Sequence, residues 1–227
     1  MVRTTLTPTA VQIRIGTDLI EGDLVSPPGA AGLVVFAHGS GSSRFSGRNR
    51  AVAQVLQQGG FATLLMDLLT SAEEVVDIQT REYRFDIERL GRRVTAAIDW
   101  AQGMPGLSSL PVACFGASTG AAAALIAAAE RPAIVRAVIS RGGRPDLAGH
   151  ALPMVQAPTL LIVGGDDEPV IELNRTAMRQ MRAPVQLEIV TGATHLFEEP
   201  GALEAVSRLA TDWCARYLGK PGVQVAR

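Results

Sequence analysis

Apolar residues arrive along this chain in short unbroken runs, at 33–37, 61–66, 112–115, 134–139, 159–163 and 185–190, each bounded by Gly, Pro or polar turn residues. Runs of that length without polar alternation suit strands buried on both faces. Between them, at 49–57, 86–101, 120–129, 172–181 and 202–217, apolar positions recur at helical spacing. The alternation predicts parallel strands joined by right-handed crossovers, hence an α/β fold with helices on both faces of the sheet. Ahead of it, 11–15 and 19–25 alternate apolar and polar around Gly16-Thr17-Asp18, which predicts an antiparallel hairpin on one sheet edge. The expected sheet has about eight strands, mostly parallel.

No repeat, low-complexity tract or long linker divides the chain, so one domain over 1–227 is expected, with a frayed tail at 219–227 where little is available to bury. At 47% hydrophobic residues the chain can fill a substantial core. The formal net charge of −1 removes the usual electrostatic reason to bind nucleic acid or an acidic membrane. All basic residues but Lys220 are Arg, which reads as a bacterial coding bias and not as a binding signal. The first residues lack the apolar run of a signal peptide, and no run approaches a membrane span; a cytoplasmic protein acting on a small molecule is the expectation. Cys114 and Cys214 sit in apolar segments at a spacing that fits no metal motif, and are expected as buried free thiols.

In a parallel α/β sheet, ligands bind at the carboxyl ends of the strands, so the turns after each strand carry the functional information. The run at 112–115 leads into Gly116-Ala117-Ser118-Thr119-Gly120 and an Ala-rich helix. A nucleophile on a sharp strand-to-helix turn needs small neighbours, which Gly116 and Gly120 supply, and it sits where helix N–H groups favour developing negative charge. A Ser hydroxyl needs a base and the base an orienting acid. Of the three histidines, His195 alone follows a late strand; His38 precedes Ser118 and His150 lies in a loop. Between Ser118 and His195 the strand at 159–163 ends in Gly164-Gly165-Asp166-Asp167-Glu168, three carboxylates of which spacing selects none. The order Ser, acid, His is the one that accompanies this nucleophile turn. The strand at 33–37 runs into His38-Gly39-Ser40-Gly41, a loop fit to supply one oxyanion-binding N–H, from Ser40, beside a second from Thr119. The loop lacks the Gly-Lys-Ser/Thr ending of a phosphate-binding loop.

With these turns assembled, the sequence resembles the α/β-hydrolase superfamily and, within it, the compact dienelactone-hydrolase-like proteins, over about 33–217. The resemblance rests on His38-Gly39-Ser40-Gly41-Ser42-Ser43, Asp67-Leu68-Leu69-Thr70, Gly116-Ala117-Ser118-Thr119-Gly120, Gly164-Gly165-Asp166-Asp167 and Gly192-Ala193-Thr194-His195. Relatives with a Gly-Gly-x-Asp-x-x-Val turn carry the catalytic acid at the Asp before the Val, which here implies Asp167. The resemblance implies a serine esterase needing no metal or organic cofactor. One departure stands out: dienelactone hydrolases proper use a cysteine nucleophile, whereas this turn carries Ser118. Some compact relatives are fused to phosphoribosyltransferase domains, and nothing in this chain resembles such a domain.

Only about 19 residues separate Ile139 from Thr159, too few for a large cap, so an open site for small or short-chain esters is expected. His38, Arg44 and Arg141 are candidate substrate contacts, with Arg81, Arg84 and Arg144 in loops that could reach the same edge; solvated loop arginines are the simpler reading. The segment 67–84 reads equally as a flap or as a short surface helix. The alternatives to an esterase are a non-catalytic binding protein of the same fold, and a peptidase or acyltransferase with the same triad.

Overall fold

The computed structural model describes residues 6–219. An antiparallel pair, β1 (Thr9–Ile15) and β2 (Asp18–Val25), turns at Gly16, which takes a positive φ. Thereafter strands and helices alternate: β3 (Leu33–Ala37), α1 (Gly47–Gln58), β4 (Ala62–Met66), α2 (Ser71–Thr80), α3 (Ile87–Gln102), β5 (Val112–Ala117), α4 (Thr119–Glu130), β6 (Val135–Arg141), β7 (Thr159–Gly164), α5 (Glu168–Met178), β8 (Val185–Val190) and α6 (Ala202–Tyr217). The eight strands form one sheet in the order β1-β2-β4-β3-β5-β6-β7-β8, antiparallel through the β1–β2 and β2–β4 pairs and parallel beyond. The mostly parallel sheet is what the alternation of runs predicts, and the α/β-hydrolase fold is what the family resemblance implies.

The unbroken apolar runs are explained by burial on both faces. Val35, Leu64, Cys114 and Val138 face the layer of α3 and α4. Their neighbours Val34, Phe36, Phe115 and Ile139 face α1 and α6, with Phe36 stacked on Phe115 at a centroid distance of 4.7 Å. The Ala-rich sequence of α4 fits its position: every residue from Thr119 to Ala128 is buried, with Leu125 and Ile126 the large apolar side chains among small ones.

The stretch 67–84, which the sequence reads two ways, and the short stretch after β6, which it reads as too short for a large cap, are both defined in the fold. The stretch 67–84 contains α2, begun by a reciprocal capping box between Thr70 and Glu73 and followed by a 3-10 turn at Tyr83–Phe85. The helix is tied to the body: Glu73 accepts from Arg89 and Arg93, and buried Asp77 receives the N–H groups of Tyr83 and Arg84 together with the Arg84 guanidinium. Burial alone would raise the Asp77 carboxyl; its bonds from Arg84 and Tyr83 outweigh that and hold it below its ordinary value. Where a cap would be inserted, residues after β6 make only the short 3-10 segment Pro145–Met154, kinked at Gly149 and packed on α4 and α5. Of the tail expected to fray, all but Gly219 lies outside the described residues.

Candidate active site

Ser118 lies between β5 and α4 with φ 51° and ψ −123°, a conformation that costs a non-Gly residue roughly 1–3 kcal/mol. The surroundings enforce it. Ser118 N–H donates to the Arg141 carbonyl at 3.3 Å, and the Ser118 carbonyl accepts from Arg144 N–H at 3.0 Å and from Ala121 N–H at 3.1 Å. The flanking glycines are required by contact. A Cβ on Gly120 would stand 2.3 Å from the Ala37 carbonyl oxygen, and one on Gly116 would stand 2.4 Å from Ala121 Cα. The end of β3, the turn and the start of α4 therefore pack backbone to backbone.

The turns after β7 and β8 are joined in the same way. Gly165 N–H donates to the Val190 carbonyl at 2.8 Å and Asp166 N–H to the Ala193 carbonyl at 3.0 Å. That contact brings Asp167 Oδ2 within 2.7 Å of His195 Nδ1. Asp166 and Glu168 are exposed and make no such contact, so tertiary placement separates three carboxylates that spacing does not. With Nδ1 facing the carboxylate, Nε2 is the ring nitrogen left for the cavity of about 250 Å³ that His195 shares with Ser118.

Ser40 and Thr119 also meet. Their hydroxyls lie 2.9 Å apart, and Ser40 Oγ donates to the Arg84 carbonyl at 3.3 Å. Among the described residues, the backbone N–H groups of Ser40 and Thr119 have no acceptor within the protein. A second cavity, of about 300 Å³, is lined by the same loop together with Leu69, Ile78 and Arg84.

The candidate substrate contacts divide. His38 is buried, and both ring nitrogens are used by backbone: Nε2 accepts from Leu68 N–H at 3.0 Å and Nδ1 donates to the Gly39 carbonyl at 2.9 Å. Burial holds its pKa below the ordinary histidine value, against the Gly39 contact and the Asp67 charge. Its place is that of a clamp between two loops, not of a free substrate contact. Arg44 is likewise committed, paired with Asp67 and facing Asp23. Arg84 is held by Asp77 and Arg144 by Asp146. Among the described residues Arg141, alone of these arginines, has no carboxylate partner: it is 8% exposed, it lines the Ser118 cavity, and neither its Nε nor its Nη1 is bonded. Arg48 and Asn49, at the start of α1, line that cavity too. Sequence reasoning missed both, because they follow the oxyanion loop by several residues and only the fold returns α1 to this edge.

The cysteines take no part. Cys114 faces the α3–α4 layer and Cys214 the α1–α6 layer, on opposite sides of the sheet, and burial pushes each thiol up to about 12. Among the described residues no three His, Cys, Asp or Glu side chains gather into a metal site, and no helix is long and apolar enough to cross a membrane.

Comparison with known proteins agrees with the fold. The chain is 57% identical to a dienelactone hydrolase from Anabaena variabilis of known crystal structure, with a TM-score of 0.92 over 93% of this chain and 98% of that one. It is 56% identical over 212 residues to two Mycobacterium tuberculosis proteins, each named "Putative phosphoribosyl transferase", covering 93% of this chain and 47% of each of theirs. The chain thus spans about half the length of these curated relatives. Est1E from Butyrivibrio proteoclasticus, at 19% identity, shares the fold, with a TM-score of 0.72 over 91% of this chain and 99% of that one. The model of the Dienelactone hydrolase family matches residues 20–217, nearly the whole of the sheet and its helices, and the chain belongs to that family.

Proposed function

We propose that this member of a hydrolase family is a serine esterase acting on small or short-chain carboxylic esters, with Ser118 as nucleophile, His195 as base and Asp167 as its orienting acid. The observation that carries the reading is the 2.7 Å contact between Asp167 and His195 at the rim of the cavity holding Ser118. Ser118 Oγ attacks the ester carbonyl while His195 Nε2 takes its proton, and Asp167 stabilises the resulting imidazolium. The tetrahedral oxyanion is met by the backbone N–H groups of Ser40 and Thr119, reinforced by the N-terminus of α4. Collapse breaks the bond to the alcohol, which leaves with the proton from His195. Water, deprotonated by His195, then attacks the acyl-enzyme and frees the acid and Ser118. The described span acts as one catalytic unit, and the absence of a long insertion after β6 supports an open site suited to small esters.

The test is hydrolysis of p-nitrophenyl esters from acetate to palmitate, with fluorophosphonate labelling, by wild type and Ser118→Ala. Acetate or butyrate is expected to be preferred, with label and turnover both lost in the variant. Equal efficiency on long chains would refute the short-chain assignment, and absence of label and turnover in wild type would favour a binding protein.

A further inference from the structure

Arg141 is the feature of the site that ester hydrolysis leaves unexplained. Its backbone carbonyl receives the Ser118 N–H, so its side chain starts beside Ser118, and the residue is among those lining the cavity shared by Ser118 and His195. At 8% exposure it retains little contact with water, yet Nε and Nη1 have no acceptor among the described residues. A buried cation without a carboxylate is costly and is normally paired. Here its charged neighbour is a second cation, Arg48, whose Nε is also buried without a partner. Among the described residues the only carboxylate bonded to Arg48, Glu198 at 2.9 Å, is 64% exposed and largely screened by water. Burial first, and the Arg48 charge second, lower the Arg141 pKa to about 10.

We propose that Arg141, with Arg48 beside it, binds a phosphate group carried by the ester substrate. Resting on the esterase reading above, this names the substrate class. A guanidinium offers a planar fork of donors that matches phosphate oxygens. Two guanidiniums repel each other, and a phosphate monoester, near −1.5 to −2 in charge at neutral pH, relieves that repulsion better than a single carboxylate. A cavity of about 250 Å³ is below the usual range for drug-sized ligands, roughly 300–1,000 Å³, so phosphate and ester belong to one compact molecule.

The experiment compares 2-acetoxyethyl phosphate, 3-acetoxypropionate and neutral 2-acetoxyethanol as substrates, and measures inorganic phosphate binding by calorimetry, for wild type, Arg141→Gln, Arg48→Gln and the exposed control Arg208→Gln. Wild type is expected to favour the phosphate ester over the neutral ester at least tenfold in kcat/KM. Arg141→Gln should reduce that ratio at least tenfold and weaken phosphate binding by a similar factor, Arg48→Gln should do so by a smaller factor, and Arg208→Gln should change neither; thermal melts establish that each variant is folded. Preference for the carboxylate or neutral ester, or phosphate binding indifferent to Arg141→Gln, overturns the proposal. If phosphate binds through Arg141 but no ester is cleaved, the esterase reading fails and the phosphate site stands; if neutral esters are cleaved without phosphate preference, the reverse holds.

Discussion

The hydroxyls of Ser40 and Thr119, 79 residues apart in sequence, lie 2.9 Å apart in the fold. Each belongs to a residue whose backbone N–H has no acceptor among the described residues, so the contact fixes the spacing between the loop after β3 and the first turn of α4. Ser40→Ala removes the link and leaves both N–H groups in place. The expected result is a threefold to tenfold fall in kcat with little change in KM, and a stability loss of about 0.5–1.5 kcal/mol. A double-mutant cycle with Thr119→Val checks it: the two losses should combine to less than their sum.

Asp167 and Asp166 offer a direct comparison of neighbouring carboxylates. Asp167 holds His195 Nδ1, whereas Asp166 is exposed. Asp167→Asn is expected to lower kcat by about 10⁴ by disturbing the imidazole tautomer, while Asp166→Asn stays within about threefold of wild type because an exposed carboxylate contributes little. Comparable losses from both would remove Asp167 from its assigned role.

The gathering of the four candidate turns at one edge was legible because each follows an apolar run, and the carboxyl ends of parallel strands share one edge whatever the detailed packing. The pairing of charges was not. Arg44, Arg84, Arg141 and Arg144 are equivalent in a linear reading, but Asp67, Asp77 and Asp146 reach three of them, and Arg141, at the end of a central strand, pairs with no acidic side chain among the described residues. The reading of 67–84 stayed divided for a related reason: α2 owes its attachment to Arg89 and Arg93 of α3, distant partners that local periodicity does not register.

Ser118 is held in a conformation that Gly adopts far more readily. Ser118→Gly should therefore abolish turnover and raise stability by about 1 kcal/mol, read as an increase in the midpoint of urea unfolding. A midpoint equal to or below that of wild type would contradict strain at Ser118.

His38 clamps the loops after β3 and β4 only while neutral, since Nε2 accepts from Leu68 N–H. Burial lowers its folded pKa, so the unfolded chain takes up the proton first as pH falls. Stability is therefore highest above the ordinary histidine value of 6.5 and declines as pH drops below it toward the lowered folded value. Replacement by Gln, which can still accept from Leu68 N–H, should flatten that part of the pH–stability curve. Urea titrations between pH 4.5 and 8 provide the measurement, and an unchanged slope in His38→Gln would assign the acid sensitivity elsewhere.

Arg141 gives the opposing case of a residue whose removal should strengthen the fold. Its folded pKa, about 10, lies below the ordinary 12.5, so the folded state holds the charge less favourably than the unfolded chain. Between those two values stability rises with pH, because there the unfolded state binds more protons; at pH 7 both states are charged and the penalty is present in full. Arg141→Met keeps the aliphatic stem and removes the cation, which should stabilise the protein by about 1–3 kcal/mol at pH 7. Inorganic phosphate is expected to raise the melting temperature of wild type and not that of Arg141→Met, narrowing the gap between them as the anion supplies the missing partner. A destabilised Arg141→Met variant would mean that the guanidinium contributes packing or water-mediated bonds that outweigh its desolvation, and the stored imbalance invoked for substrate binding would then be absent.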